Sequence, residues 1–235
     1  MHRFLFISTV FLSLLACNKK QTTINRTPNP PPVVTGLQKT YLALGDSYTI
    51  GQGVNEPDRF PMQTAAWLKL NGINIPTPYF IATTGWTTGS LQNALNFQNP
   101  VSHDVVSLLI GVNDQYLTHD TTGYRQRFTQ LLENAIQLAR GKKENVFVLS
   151  IPDYSVTPFA ASNDTTRIRQ EIDWFNAINK NVTAVYNCAY LDITPSTSDA
   201  RYDLSLLAND GLHPSGLEYK KWAYRLGPLM LPVLK

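Results

Sequence analysis

Cysteine is nearly absent from this chain: Cys17 and Cys188 are the only two, too few for the disulfide framework that braces small secreted folds. Charge is sparse as well. Lys, Arg, Asp and Glu make up 16% of the residues and the formal net charge is +3, so nothing in the balance calls for an acidic partner. Beyond the N-terminus no basic block is interleaved with aromatics, and no nucleic acid is expected. The sequence has no His-Glu-x-x-His, no paired-cysteine motif and no calcium loop, hence neither metal nor cofactor is expected. No internal repeat is present. What the chain does have is apolar material: 235 residues that are 43% hydrophobic and 11% aromatic can bury one sizeable core and are not the composition of a disordered chain.

The first forty residues differ from the rest. Met1-His2-Arg3 is positive, Phe4 to Leu15 is apolar apart from small hydroxyl residues, and Leu14-Leu15-Ala16-Cys17 follows. That run is short for a spanning helix and reads as a secretory signal over 1–16. Its last four residues resemble a bacterial lipobox, which makes Cys17 the expected site of lipid attachment and leaves Cys188 as a free thiol. Residues 17–39, polar and then proline-rich through Pro28-Asn29-Pro30-Pro31-Pro32, form neither helix nor central strand and read as a tether. The expected location is the cell envelope, outside the cytoplasm, with the membrane touched through the N-terminal lipid only.

From Thr40 onward, strand-length apolar runs alternate with segments of helical period. Tyr41 to Leu44, Tyr79 to Ala82, Val105 to Ile110, Val146 to Ile151 and Tyr190 to Ile193 predict strands. Helices are predicted near 60–71, 87–97, 123–140, 165–186 and 215–226. Such alternation argues for one α/β domain over 40–235, with a parallel sheet covered on both faces.

Four short polar motifs punctuate that pattern: Gly45-Asp46-Ser47, Gly85, Gly111-Val112-Asn113-Asp114 and Asp210-Gly211-Leu212-His213-Pro214. The first three follow the first three predicted strands, so they converge on the carboxyl rim of the sheet, where ligands bind in such folds. In this reading Ser47 is a nucleophile, His213 its base and Asp210 the residue orienting that base. The Ser47 N–H, the Gly85 N–H and the Asn113 amide make an oxyanion hole. Asp210 and His213 lie three residues apart in one loop, so the carboxylate can hold the imidazole Nδ1–H while Nε2 faces the serine. Gly45-Asp46-Ser47-Tyr48-Thr49 lacks the second glycine of a Gly-x-Ser-x-Gly elbow, which sets the chain apart from ordinary α/β-hydrolases.

By those four blocks the chain resembles the GDSL/SGNH hydrolases, over roughly residues 40 to 233. The resemblance implies a flavodoxin-like three-layer α/β/α sandwich with a five-stranded parallel sheet in the order 2-1-3-4-5. It also implies a serine esterase acting on carboxylic esters, and Gly45 to Gly51 is similar to lysophospholipase-like members. Tyr48 stands where the wider family has Leu, a change expected to bear on substrate preference. The expected substrate is a small ester, a lipid or an acylated saccharide, and the expected state is a monomer. A carbohydrate O-acetyl esterase and a non-catalytic, surface-tethered binding protein are the alternatives.

Other residues invite less. Asp46 is expected to hydrogen-bond its own loop, as Asp does in turns. Asp153 follows a strand and is a lesser candidate for the pocket. Cys188, beside an apparent strand, is expected to be a buried filler. Trp86, Tyr116 and Phe60 are open between an acyl slot, a sugar platform and the core.

Overall fold

The computed structural model describes residues 37–235; the expected signal over 1–16, Cys17 and nearly all of the tether lie outside the described residues. Leu37–Gln38 (β1), at the end of the expected tether, pairs in parallel with Ile73–Asn74 (β3). This strand thus lies before the expected domain boundary at residue 40. Between these two come Tyr41–Gly45 (β2), Ser47–Ile50 (α1) and Phe60–Leu70 (α2). There follow Tyr79–Ala82 (β4), Thr88–Gln98 (α3), Val105–Leu109 (β5), Val112–Thr118 (α4), Tyr124–Leu138 (α5) and Val146–Leu149 (β6). The chain closes with Thr165–Val185 (α6), Ala189–Leu191 (β7), Thr194–Thr197 (α7) and Gly216–Leu234 (α8).

The main sheet is parallel throughout, in the order β4-β2-β5-β6-β7. Counted among its own five strands this is 2-1-3-4-5, the expected order. Its central strands are apolar on both faces because both faces are covered: Leu42, Leu44, Val105, Val106, Leu108, Val146, Val148 and Leu149 have no exposed surface. Ser107 breaks the run inside β5, and its buried hydroxyl accepts the Tyr41 O–H at 2.8 Å, which satisfies both groups. Asp104 pins the amino end of the sheet, accepting the Thr40 N–H and O–H at 2.8 and 2.9 Å.

Each long helix turns one stripe inward. In α5 the buried residues are Tyr124, Phe128, Leu131, Leu132 and Ala135, the spacing of one helical face. Helix α2 packs on α8, α3 on α5, and α5 on α6. Among the described residues no helix is long and apolar enough to cross a membrane.

Helix α8 outruns its expected end at 226, continuing through Pro228 and Pro232 to Leu234. A proline inside a helix costs about 3 kcal/mol, a cost met here by burial of Leu226, Met230 and Leu234 at intervals of four. Gly227 lies on that same face, and a Cβ there would come within 2.4 Å of the Trp67 ring on α2. Gly227→Ala should therefore destabilise the protein by about 1–3 kcal/mol through overpacking, although alanine is the better helix former. A urea-denaturation midpoint at or above wild type would contradict this contact.

Candidate active site

The three loops that leave β2, β4 and β5 at their carboxyl ends meet the loop before α8 around one cavity of about 170 Å³. Ser47, Gly85, Asn113 and His213 all line it. Four of the six positions read from the sequence as a site are thus together, and Asp210 reaches the fourth directly.

Ser47 opens α1, a single turn capped by Asp46, whose Oδ1 accepts the Tyr48 N–H at 3.0 Å. As the first residue of a helix it has a backbone N–H with no intrahelical acceptor. The turn is tight because Gly45 precedes it: a Cβ there would sit 2.1 Å from Thr49 Oγ1 and 2.3 Å from the Leu109 carbonyl. Asp46 has the loop-binding role expected of it.

Gly85 has φ +83°, a conformation that side chains rarely adopt, and a Cβ there would project into open space rather than protein. Asn113 lies in the first turn of α4. Its Nδ2 donates to the Trp86 carbonyl at 2.9 Å, which fixes the amide plane and leaves the second N–H of the amide group for the cavity.

His213 is 8% exposed. Its Nδ1–H donates to Asp210 Oδ2 at 2.7 Å; a carboxylate only accepts, so the proton sits on Nδ1 and Nε2 carries the free lone pair. Asp210 Oδ1 takes the backbone N–H groups of Leu212 and His213 at 3.0 and 2.9 Å. Partial burial raises the Asp210 carboxyl, but the hydrogen bonds from the His213 imidazole and from these two backbone groups outweigh it and hold it below the ordinary aspartate value. The loop is closed by an antiparallel bridge between Leu207 and Pro214.

Apart from Thr84, the remaining wall is apolar or aromatic: Tyr48, Val112, Tyr116, Tyr154, Phe159 and Leu212. Of the three aromatics left open by the sequence, Tyr116 is at the cavity, Phe60 is fully buried against Tyr219 and Trp222, and Trp86 offers its carbonyl to Asn113. Tyr154 and Phe159 went unread because they lie in single-turn segments without periodicity. Tyr48 lines the cavity and also packs on the His213 ring at 5.4 Å, so its position bears on the imidazole as well as on the ligand. Asp153 is buried elsewhere, held by Arg169 at 2.8 Å and by Ser155 and Ser198, and it does not line this cavity. Cys188 is only partly buried, and that burial pushes its thiol up to about 11, away from nucleophilic use.

A parallel three-layer sheet with a serine, a histidine–carboxylate pair and an amide around one rim cavity defines a hydrolase domain of the α/β/α kind. The chain belongs to the GDSL-like lipase/acylhydrolase family, whose model matches residues 43–221. Among solved structures it is similar to a lipase from a goat rumen metagenome, at 20% identity over 85% of this chain and 100% of that one, with TM-score 0.64. It is also similar to a lipase/acylhydrolase from Enterococcus faecalis (21%, 83% and 94%, TM-score 0.54). An acetyl xylan esterase from Geobacillus stearothermophilus is a third (18%, 86% and 96%, TM-score 0.54). Likeness at such identities carries the fold. No curated protein matches the chain.

Asp46 is fully buried, and its Oδ2 has no hydrogen-bond partner among the described residues. Burial pushes its carboxyl up to about 8, opposed by the Tyr48 N–H. The folded protein therefore holds a proton there that the unfolded chain has released, and stability should fall as pH rises from about 4 through about 8. Asp46→Asn should remove that part of the fall. Denaturation midpoints measured from pH 5 to 9 check it: parallel curves for the two proteins would contradict a buried neutral Asp46.

Proposed function

We propose that this protein hydrolyses carboxylic esters through an acyl-enzyme, with Ser47 as nucleophile, His213 as general base and acid, and Asp210 orienting the imidazole. The observation that carries the reading is the convergence of Ser47, the Asp210–His213 pair, Gly85 and Asn113 on one cavity. In the free protein the hydrogen bond of the imidazole is the one to Asp210; the bond from Ser47 Oγ to Nε2 closes when an ester fills the cavity, as catalytic bonds tighten in the Michaelis complex.

Ser47 Oγ then attacks the ester carbonyl as its proton passes to His213 Nε2. Negative charge develops on the carbonyl oxygen, where the Ser47 N–H, the Gly85 N–H and the free N–H of the Asn113 amide stabilise it without reorganising. The tetrahedral species collapses, the alcohol leaves with the proton from Nε2, and the acyl group stays on Ser47. Water gives a proton to the same nitrogen, attacks the acyl carbon, and the acid departs as the proton returns to Oγ.

The apolar wall of Val112, Tyr116, Tyr154, Phe159 and Leu212 favours an acyl group, lysophospholipase-like or from a simple ester. A carbohydrate O-acetyl ester is the second reading, supported by the partly exposed rings of Tyr116 and Phe159 at the mouth, which offer faces on which a sugar can stack. Nitrophenyl esters from acetate to palmitate, with acetylated xylo-oligosaccharides alongside, separate the two.

The envelope location belongs to the same proposal: Cys17 carries the lipid, and residues 18–36 hold the hydrolase domain off the membrane. One acyl chain gives only marginal binding, about 10⁴ M⁻¹, so several chains on Cys17 are needed for stable anchoring. Cys17→Ser should move the protein out of the membrane fraction, and palmitate labelling with intact-mass analysis checks it. An unlabelled mature chain that starts elsewhere removes the anchor and leaves the chemistry standing.

Ser47→Ala and His213→Ala should each lower turnover of the best ester by about three orders of magnitude or more with the fold retained. Asn113→Ala should cost about 2.7–4 kcal/mol in the chemical step, read as kcat rather than KM. Near-wild-type turnover in either of the first two would sink the assignment of nucleophile and base; a change confined to KM would make Asn113 a binding residue.

A further inference from the structure

Asp114 has no part in the chemistry above, yet the segments that carry two of the three proposed oxyanion donors, Gly85 and Asn113, meet at it. Its carboxylate is 3% exposed. Oδ2 accepts the Thr88 backbone N–H at 2.8 Å, and Oδ1 accepts the Thr88 hydroxyl at 2.6 Å and an Arg127 N–H at 3.3 Å. Arg127 closes the ring by donating its Nε–H to Thr88 Oγ1 at 3.0 Å. Thr88 follows Gly85 by three residues, and Asp114 directly follows Asn113. A second tie runs alongside, from Asn113 Nδ2 to the Trp86 carbonyl.

Capping of α3 does not account for this arrangement. Thr87 already caps that helix, its hydroxyl accepting the Ser90 N–H. Asp114 comes instead from a different loop, 26 residues on. A buried carboxylate receiving charge-assisted bonds in fixed directions is a stiff joint. It also places a negative charge near a site meant to stabilise another, and the Arg127 guanidinium offsets that charge.

We propose that Asp114 is a positioning residue: through Thr88 and Arg127 it sets the distance between the Gly85 N–H and the Asn113 amide, and so the strength of the oxyanion hole. This rests on the ester-hydrolase reading above. Donors held in place beforehand act without reorganisation, and a misplacement of about 1 Å can cost 10²-fold in rate.

The test uses the full chain and the nitrophenyl ester that wild type turns over best, with active sites counted by a stoichiometric organophosphorus ester. Thr88→Val keeps the shape and the backbone bond but loses the hydroxyl; Thr88→Ser keeps the hydroxyl; Asp114→Asn loses the charge. Thr88→Val and Asp114→Asn should lower kcat per counted site by about 10- to 100-fold with KM within about threefold, and Thr88→Ser should stay within about threefold of wild type. Should Asp114→Asn fail to fold, the Thr88 pair decides alone. Unchanged kcat per site with a lowered melting temperature would make the cluster merely structural and overturn the proposal. So would Thr88→Ser falling as far as Thr88→Val, or an effect confined to KM. Ser47→Ala runs in parallel: if wild-type turnover survives that change, the ester-hydrolase reading itself fails and the positioning role goes with it. Turnover that depends on Ser47 but is insensitive to Thr88 and Asp114 overturns the positioning role alone.

Discussion

Parallel pairing of β4, β2 and β5 is the constraint from which the site follows. Neighbouring strands lie about 4.8 Å apart, and parallel strands all end on the same side. The residues that follow these three strands are therefore delivered to one edge within about 10 Å, whatever their separation in sequence. Ser47 leaves the middle strand, while Gly85 and Asn113 leave the strands that flank it. Only the Asp210–His213 loop comes from elsewhere, and α8 anchors it by packing against α2. The register of three strands fixes the relative height of the loops, and fully buried residues such as Leu44 and Leu108 hold it by close packing under the helices on either face.

Around this rim the sheet tolerates an unusual density of buried acids. Asp114, Asp153 and Glu171 are each met by an arginine as well as by neutral donors, so the cost of taking a carboxylate out of water is offset by directed bonds. Among the described residues Asp46 has no such cation and its Oδ2 has no partner, and burial pushes the carboxyl up so that it holds its proton. The contrast sorts these acids by physical role. The paired ones tie elements together, whereas Asp46 shapes a single turn and lends little charge to Ser47 beside it.

The sheet was legible in the sequence because doubly covered parallel strands are nearly continuous apolar runs, as in Val146 to Leu149 and, apart from Ser107, in Val105 to Leu109. The rim motifs were legible only jointly: a glycine or Asx residue after a strand is by itself an ordinary turn signal, but Ser47, Gly85, Asn113 and the Asp210–His213 pair occur together in one order along the chain. Less legible was whatever depends on tertiary packing. The last turns of α8 pass two prolines because Met230 and Leu234 are buried, a fact invisible to local propensity. Asp114 and Arg127 read as ordinary polar residues until the fold brings Thr88 between them. Asp153, by contrast, had a position in the chain that suggested the pocket, and its pairing with Arg169 draws it away.

The cavity wall shows how such packing limits what the site can accept. Tyr154 gives its O–H to Gln115 Oε1 at 2.9 Å, and Gln115 Nε2 donates to Glu171 Oε2 at 2.7 Å. Glu171 is held in turn by His119 and Arg167. The ring of Tyr154 therefore ends a buried chain of bonds running from α4 to α6, and turning it out of the cavity would strand the buried amide oxygen of Gln115. Tyr116 and Phe159, by contrast, rest on Tyr154 and on each other through ring contacts alone and are half exposed. The floor of the slot is thus fixed by hydrogen bonding while its mouth is held only by packing. On the ester-hydrolase reading proposed above, an acyl group would have to fit the first and could displace the second, which would put discrimination between substrates on chain bulk near the carbonyl more than on what extends past the rim.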